Sequence, residues 1–486
     1  MFIGIDLGTS GVKLILLNKN GNIIRSVTKN YELIIPKSTW AEQDPNEWYK
    51  QSLTGLKELI KGFEDEIISI SFSGQMHGLV ILDENDTVLR NAILWNDQRT
   101  SKEVNYLNKE IGKTFLLENT GNIALTGLTA PKILWVKNNE PEIFKKINKI
   151  MLPKDYLAYK LSGVFATDVT DVSGTLYFDV KNKQYSKAML KLLDISLTQL
   201  PKVYESFDKI GVLTNKIKQQ LNIANDVSVI IGGGDQAVGA LGVGVVKDGQ
   251  SSISLGTSGV IFVASDKFKV DDISYFQSYC HTNGKYHLMS VMLNAGGALK
   301  WWSEQIFNNY NYNDFFDNIK DLDVNNDLYF LPYLSGERAP INDPYAQGVF
   351  LGMNLSHRKE HLDQAVIEGI TFALKDSFEL IKNLGVNIKS VRITGGGAKS
   401  KIWTQMISDI LDVEVYTMKA EEGPAFGAAI LAMVGVGHYK NVQLACKDLI
   451  KIDGVFKQNF TNVKIYSQKY SKFGIIYSKV KDIFRL

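Results

Sequence analysis

Leu7-Gly8-Thr9-Ser10-Gly11-Val12 returns letter for letter as Leu255-Gly256-Thr257-Ser258-Gly259-Val260, 248 residues further along a chain of 486. Repetition at about half the chain length marks a duplicated architecture. Each copy is entered by an alternating run, Ile3-Gly4-Ile5 or Ser252-Ile253-Ser254, and left by an apolar one, at 14–17 or 261–264. Both read as strand, tight glycine turn, strand. The expectation is an α/β protein of two duplicated domains, 1–246 and 247–486, facing one another across a cleft and meeting near 245–249.

Outward from the first hairpin, Asn20-Gly21 signals a turn into a strand at 23–28. A helix is expected from Pro45, with Asp44 as its cap, Glu47 completing a capping box, and Trp48, Leu53, Leu56 and Ile60 as its apolar face. A strand at 67–72 runs into Ser73-Gly74-Gln75-Met76-His77-Gly78, and a hairpin turn follows at 83–86. The strand at 227–231 ends in Gly232-Gly233-Gly234-Asp235, with a helix near 236–241. The strand at 391–394 ends in Gly395-Gly396-Gly397 and reads as the same device repeated, with a helix from about Lys401. Strands that stop in glycines ahead of a helix are where α/β sheets bind ligands. The tail, 458–486, reads as an amphipathic helix with Tyr466, Tyr470, Phe473 and Ile476 on its apolar side.

Composition narrows the function. With 54 Lys+Arg against 52 Asp+Glu the net charge is +2, so there is no basic excess to draw in nucleic acid or an anionic membrane surface. The hydrophobic fraction of 45% is that of a folded chain rather than a disordered one. Cys280 and Cys446 lie far apart without metal-ligand spacing and read as two reduced thiols. Phe2-Ile3-Gly4-Ile5-Asp6 places an acid where a secretory apolar core would run, and the apolar stretch 227–246 is broken by Asp235 and glycines. The expectation is a cytoplasmic protein.

The Gly-Thr-Ser-Gly turn offers backbone N–H groups and hydroxyls to an anion, Lys13 adds positive charge, and Asp6 could hold Mg²⁺ through water. The alternative is a plain hairpin turn. The second copy keeps the turn but has Ser254 for Asp6 and Ile261 for Lys13, which suits a nucleoside triphosphate bridging the cleft without a P-loop. Asp235, after three glycines, reads either as a base accepting a hydroxyl proton during phosphoryl transfer or as a helix cap. Gln75-Met76-His77 and Trp95-Asn96-Asp97-Gln98-Arg99 bring polar groups and an aromatic to strand ends, as a sugar site needs, while His77 taken alone reads first as a structural histidine and second as a functional one. Glu337 and Arg338 read first as a structural ion pair and second as a phosphate contact.

These segments resemble the FGGY carbohydrate kinases of the actin-like, ribonuclease H-like ATPase superfamily, over 3–435. The motifs are Phe2 to Lys13, Trp40 to Pro45, Gly74 to Gly78, Gly127-Leu128-Thr129-Ala130-Pro131-Lys132-Ile133-Leu134-Trp135, Leu152-Pro153-Lys154-Asp155-Tyr156-Leu157, Leu331 to Pro340, and Gly348 through Gly352 to Glu368-Gly369. The Gly74–Gly78 segment is similar to that of members acting on D-xylulose, and unlike that of members acting on glycerol. The resemblance implies ATP-dependent phosphorylation of D-xylulose to D-xylulose 5-phosphate, with ATP and Mg²⁺. Another ketose or polyol, and a non-enzymatic nucleotide switch, are the alternative readings. The general base falls on Asp235 and the metal- and phosphate-associated carboxylate on Asp6. Sugar contacts fall on Met76, His77 and Gln236, beside the base. The nucleotide side falls on Thr9, Lys13, Gly256, Thr257, Gly296, Trp301, Gly396 and Gly397, with no base contact assigned to Lys399 or Lys401. The implied partners are sugar and nucleotide, and the resemblance leaves a homodimer open.

Overall fold

The computed structural model describes every residue except 272–275, 309–310, 320–323, 420–422 and 486. Two seven-stranded sheets organise it. In the first, Phe2–Leu7 lies at the centre, antiparallel to Gly11–Leu17 and parallel to Ser69–Gly74; Ile23–Asn30 extends one side and Ser228–Ile230 the other. In the second, Gln250–Leu255 takes the centre, antiparallel to Gly259–Ser265 and parallel to Ser390–Thr394, with Tyr286–Met292 and Val415–Met418 outside them. Five strands therefore recur in the same order and sense, as the repeated hexapeptide implied. The central strands are buried on both faces, and apart from Asp6 near the end of the first they hold only apolar residues, glycines and small serines.

The helix Pro45–Ile60 starts as expected, with the Asp44 side chain accepting from Asn46 N–H. Its capping box does not form, because the Glu47 carboxylate is taken by Lys50 and Gln51 one turn on. The tail is helical over Phe460–Val480 and buries Tyr466, Phe473 and Ile476, together with Lys469, which pairs with Glu368 at 2.5 Å. Residue 486 lies outside the described residues. Among the described residues, no helix is long and apolar enough to cross a membrane.

Strand order corrects one reading. Gly395–Gly397 does not repeat Gly232–Gly234. The strand Ser390–Thr394 sits next to the central strand, as Ser69–Gly74 does, so its glycines correspond to the Gly74–Gly78 loop. The counterpart of the Asp235 helix is Gly423–Gly435, which follows Val415–Met418. These two helices cross at the seam: the first packs Ala237 and Ala240 on Phe262 and Ala264 of the second sheet and Val238 and Leu241 beside Ile230 of the first, while the second packs Ala425 and Ala429 against Phe2 and Ile15 of the first sheet. The crossing is so close that a Cβ at Gly242 would lie 1.9 Å from Gly423 O.

Candidate active site

Asp6 is the penultimate residue of its strand, in register with Lys13 on one side and Ser73 on the other. Its Oδ1 is sealed from solvent without a hydrogen-bond partner, as is the Ser73 hydroxyl. Burial raises the Asp6 carboxyl to about 6 against the pull of Ser73 and Lys13. Two unpartnered oxygens suit a hydrated cation, and among the described residues no group of three or more His, Cys, Asp or Glu could hold a metal by itself. That donor set fits Mg²⁺, which keeps most of its water when it arrives with phosphates.

The turn that follows is wired to the Gln75 loop. Thr9 Oγ1 donates to Gln75 Oε1 at 3.2 Å and accepts from Trp95 Nε1 at 3.0 Å, while Gln43 Nε2 donates to Thr9 O at 2.6 Å. Gln75 Nε2 closes the circuit by donating to Gln43 Oε1 at 3.1 Å.

Asp235 is the first residue of the helix Asp235–Gly242, and the cap position belongs to Gly234, which has no side chain to cap with. The capping reading therefore fails, and the carboxylate is held only by its neighbour, Gln236 Nε2 donating at 3.4 Å. Burial first, and the nearby Asp6 charge second, raise its pKa to about 7, with Gln236 opposing. Behind the turn stands a platform that sequence reading missed. Gly234 N donates to Thr170 Oγ1 at 3.0 Å, and Thr170 donates to Asp168 Oδ2 at 2.6 Å. Lys154, fully buried, pairs with Asp168 at 3.0 Å and Asp155 at 2.6 Å. No local pattern foretells the contact that carries the turn, since Gly234 and Thr170 lie 64 residues apart.

Met76 is buried against Gly234, where a Cβ would sit 2.9 Å from its sulfur. His77 takes a left-handed backbone, φ 69°, and places Nδ1 2.9 Å from Gly174 O. That carbonyl fixes the proton on Nδ1 and leaves Nε2 as an acceptor. Burial, then the Lys132 charge, hold the ring near pKa 3, so it is neutral. Lys132, fully buried, grips the loop by donating to His77 O and Gly127 O, both at 2.7 Å. It lies in the first signature stretch, but nothing in that stretch signalled this role.

A cleft of about 1060 Å³ opens from Asp235 and Gln236, passes Ser252 and Ser254, and ends at Gly396, Lys399, Lys401 and Val455. Gly396 faces open space, whereas Gly397 is packed, with a Cβ there 2.8 Å from Leu255 and 2.9 Å from Trp403. Gly256 is nearly open, its nearest neighbour being Ser258 O at 3.7 Å. Gly296 N donates to Gly256 O at 2.9 Å, and Gly297 N donates to Thr257 O at the same distance, which stacks a helix start on the second turn. Trp301 lies beside Trp302 against the second core. Thr9, Lys13, Gly256, Thr257, Gly296, Trp301 and Gly397 are not on the cleft wall, while Lys399 and Lys401, left without a role by the sequence, are. The Glu337–Arg338 ion pair is absent: Glu337 Oε1 instead accepts from the backbone N–H of Leu293 and of Arg338.

Two family models match the chain, the N-terminal domain of the FGGY family of carbohydrate kinases over residues 1–242 and its C-terminal domain over 251–436. A xylulose kinase of Staphylococcus epidermidis is 39% identical, the alignment covering 99% of this chain and 97% of that protein. Among solved structures, a ligand-bound xylulose kinase from Lactobacillus acidophilus superposes with a TM-score of 0.93 at 29% identity, covering 99% of this chain and 98% of the other. A gluconate kinase from the same organism does so with a TM-score of 0.93 at 30% identity, over 98% and 97%. Both halves of the fold, its central cleft and its relatives agree: the chain belongs to the FGGY family of carbohydrate kinases.

Proposed function

We propose that this kinase phosphorylates D-xylulose at its terminal hydroxyl, with Asp235 as general base and ATP as donor. The observation that carries the reading is the position of Asp235. It lines the cleft at the end of a glycine turn, with Met76 packed against Gly234 behind it and the nucleotide-sized cleft in front, and its pKa of about 7 suits proton transfer near neutrality. The 39% identical xylulose kinase supports the choice of sugar.

The sugar hydroxyl is delivered to Asp235, which takes its proton as the oxygen attacks the γ-phosphorus and the γ-phosphorus–oxygen bond to the β-phosphate breaks, so that ADP leaves. Gln236 orients that carboxylate. His77 Nε2 accepts from a sugar hydroxyl, and the Met76 backbone and thioether wall the sugar. The Gly8 to Gly11 and Gly256 to Gly259 turns cradle phosphates, with Lys13, Thr9 and Thr257 near them and Gly296 backing the second turn. Gly396 passes beneath the nucleoside, Gly397 fixes its turn, and Trp301 supports that side from the core. Asp6 would hold Mg²⁺ through water, and the bound ion offsets charge on the transferred phosphoryl group. Alignment of the reactants supplies most of the acceleration in such a reaction.

Phosphorus-31 NMR of the product formed from D-xylulose and Mg-ATP tests the reading. A single phosphomonoester on C5 is expected, and phosphate on another carbon, or none, would contradict it. The solved gluconate kinase of equal TM-score makes D-gluconate the specific second substrate for the same experiment.

A further inference from the structure

The platform behind Asp235 and the carbonyl that fixes His77 belong to one short helical stretch, Val169–Val172 running on into Ser173–Thr175. At its start, Thr170 Oγ1 accepts from Gly234 N at 3.0 Å, on the turn that carries Asp235. At its end, Gly174 O lies 2.9 Å from His77 Nδ1. The two contacts are four residues apart, about one helical turn and roughly 6 Å along the axis. Between them Ser173 Oγ accepts from Cys280 N at 3.1 Å, which ties the same stretch to a strand of the second sheet.

The stretch is itself held from below. Asp168 caps it, accepting from Thr170 N at 2.8 Å and from the Thr170 hydroxyl at 2.6 Å, and takes further bonds from Ser206 Oγ at 2.7 Å and Lys154 Nζ at 3.0 Å. A carboxylate paired with a lysine can only accept, so the Thr170 proton is committed to Asp168 and a lone pair is left facing the Gly234 N–H. Lys154, Asp168, Thr170 and Ser206 are all wholly buried. Asp235 needs such a fixture: three successive glycines lead up to it, with no side chains to lock the backbone, and the bond from Gln236 that holds its carboxylate is long, at 3.4 Å. The approach is close at both ends. A Cβ at Gly233 would lie 2.5 Å from Thr170 Oγ1, and one at Gly174 would strike the His77 ring.

We infer that Thr170 and Gly174 are positioning residues, and that the stretch between them sets the spacing of Asp235 from His77 while Asp168 and Lys154 hold it rigid. The inference rests on the proposed function, since it takes Asp235 as the base and His77 as a sugar contact. Neither residue touches the reacting atoms. Thr170 acts through Gly234 on where the carboxylate meets the sugar hydroxyl, a contact that matters most as the proton moves. Gly174 acts through His77 on how the sugar is held before reaction. A shift of about 1 Å at such a site costs on the order of 100-fold in rate.

The test is steady-state kinetics on D-xylulose with Mg-ATP for wild type, Thr170→Val, Thr170→Ser and Gly174→Ala, each with its melting midpoint and its affinity for Mg-ADP. Thr170→Val keeps the shape and removes the acceptor; kcat is expected to fall about 10- to 100-fold, with KM and Mg-ADP affinity within about threefold of wild type. Thr170→Ser restores the hydroxyl and should restore kcat to within about threefold. Gly174→Ala displaces the His77 ring and should raise KM for the sugar at least about 10-fold, with kcat within about threefold. A residue that merely supports the fold would lower the melting midpoint without separating kcat from KM and without telling valine from serine. A folded Thr170→Val that loses less than about threefold in kcat, a Thr170→Ser as impaired as Thr170→Val, or the same kinetic change at both ends of the stretch would overturn the inference. Should Thr170→Val not fold, Ser206→Ala decides, because it withdraws one donor from Asp168 and nothing from the turn: a kcat lower by about 3- to 10-fold is expected, and an unchanged one would overturn the inference. Turnover retained by Asp235→Asn would overturn the base assignment and this inference with it. A wild-type enzyme that rejects D-xylulose would overturn the proposed substrate alone, and the variants are then compared on the sugar that it does phosphorylate.

Discussion

Asp235 and Asp6 both ionise reluctantly because both are enclosed, and at Asp235 the nearby Asp6 charge adds to the effect of burial. The consequence for stability has a definite sign. A carboxyl whose pKa is about 7 in the fold and 3.8 when unfolded keeps its proton longer in the folded chain. The folded state therefore binds more protons between those limits, and stability falls as pH rises through that window. Asp235→Asn, which cannot ionise, is expected to melt several degrees above wild type at pH 8 and level with it at pH 4, as scanning calorimetry would show. The same variant should lose at least about 100-fold in turnover while still binding Mg-nucleotide, since the base is gone and the cleft is not. Sugar-dependent kcat/KM should fall on acidification below about pH 7, because the base must be ionised to act; a rate that rises instead would contradict the assignment. Asp6→Asn should weaken the dependence on Mg²⁺, and an unchanged magnesium titration would exclude Asp6. Asp6, His77 and Asp235 were legible in the sequence because their settings are local, a glycine turn or a strand end. Lys132 and Thr170 were not, because each meets a backbone group that only packing brings near, and Asp168 acts on the turn only through the Thr170 hydroxyl.

At the scale of elements, the same hexapeptide makes two different hairpins. Leu7 pairs with Val12, but Leu255 pairs with Gly259, so the second turn is a residue shorter and Ser254 stands opposite Val260 rather than Ile261. Letter identity set the element and its place in the sheet, while register followed the flanking strands. The glycine triplets mislead for the same reason: Gly232 and Gly395 both approach a strand backbone closely, yet the strands they follow occupy different positions in their sheets. Glycines at the seam have a stricter purpose. A Cβ at Gly427 would lie 2.0 Å from Val238 O, a contact between helix backbones that no rotamer relieves. Gly427→Leu is expected to destabilise the protein by at least about 2 kcal/mol. Gly474→Ala, in the exposed tail helix with nothing within 4 Å, should stabilise by about 0.5–1 kcal/mol. Denaturant unfolding reads both, and equal effects would contradict the packing described.

Across the whole molecule, duplication is the large fact and asymmetry the useful one. The hairpin strands, two parallel strands and the seam helices recur in both halves, and from the repeat alone the two-sheet plan was legible. The repeat did not disclose that the second half's helix Gly423–Gly435 packs on the first sheet, because the alanines and glycines that permit it look like ordinary helix formers and turns. In their side chains the halves diverge: the first holds the candidate residues Asp6, His77 and Asp235, and the second lines the long wall of the cleft with Lys399 and Lys401. A reaction that spans the seam should need both partners, so hydrolysis of ATP without sugar is expected to be slow. The most direct measurement is ADP release by the purified protein with Mg-ATP, first alone and then with D-xylulose, D-ribulose, L-ribulose, glycerol and D-gluconate in parallel. This account predicts a low rate alone and a selective rise with D-xylulose. A rise with another substrate and none with D-xylulose would contradict it.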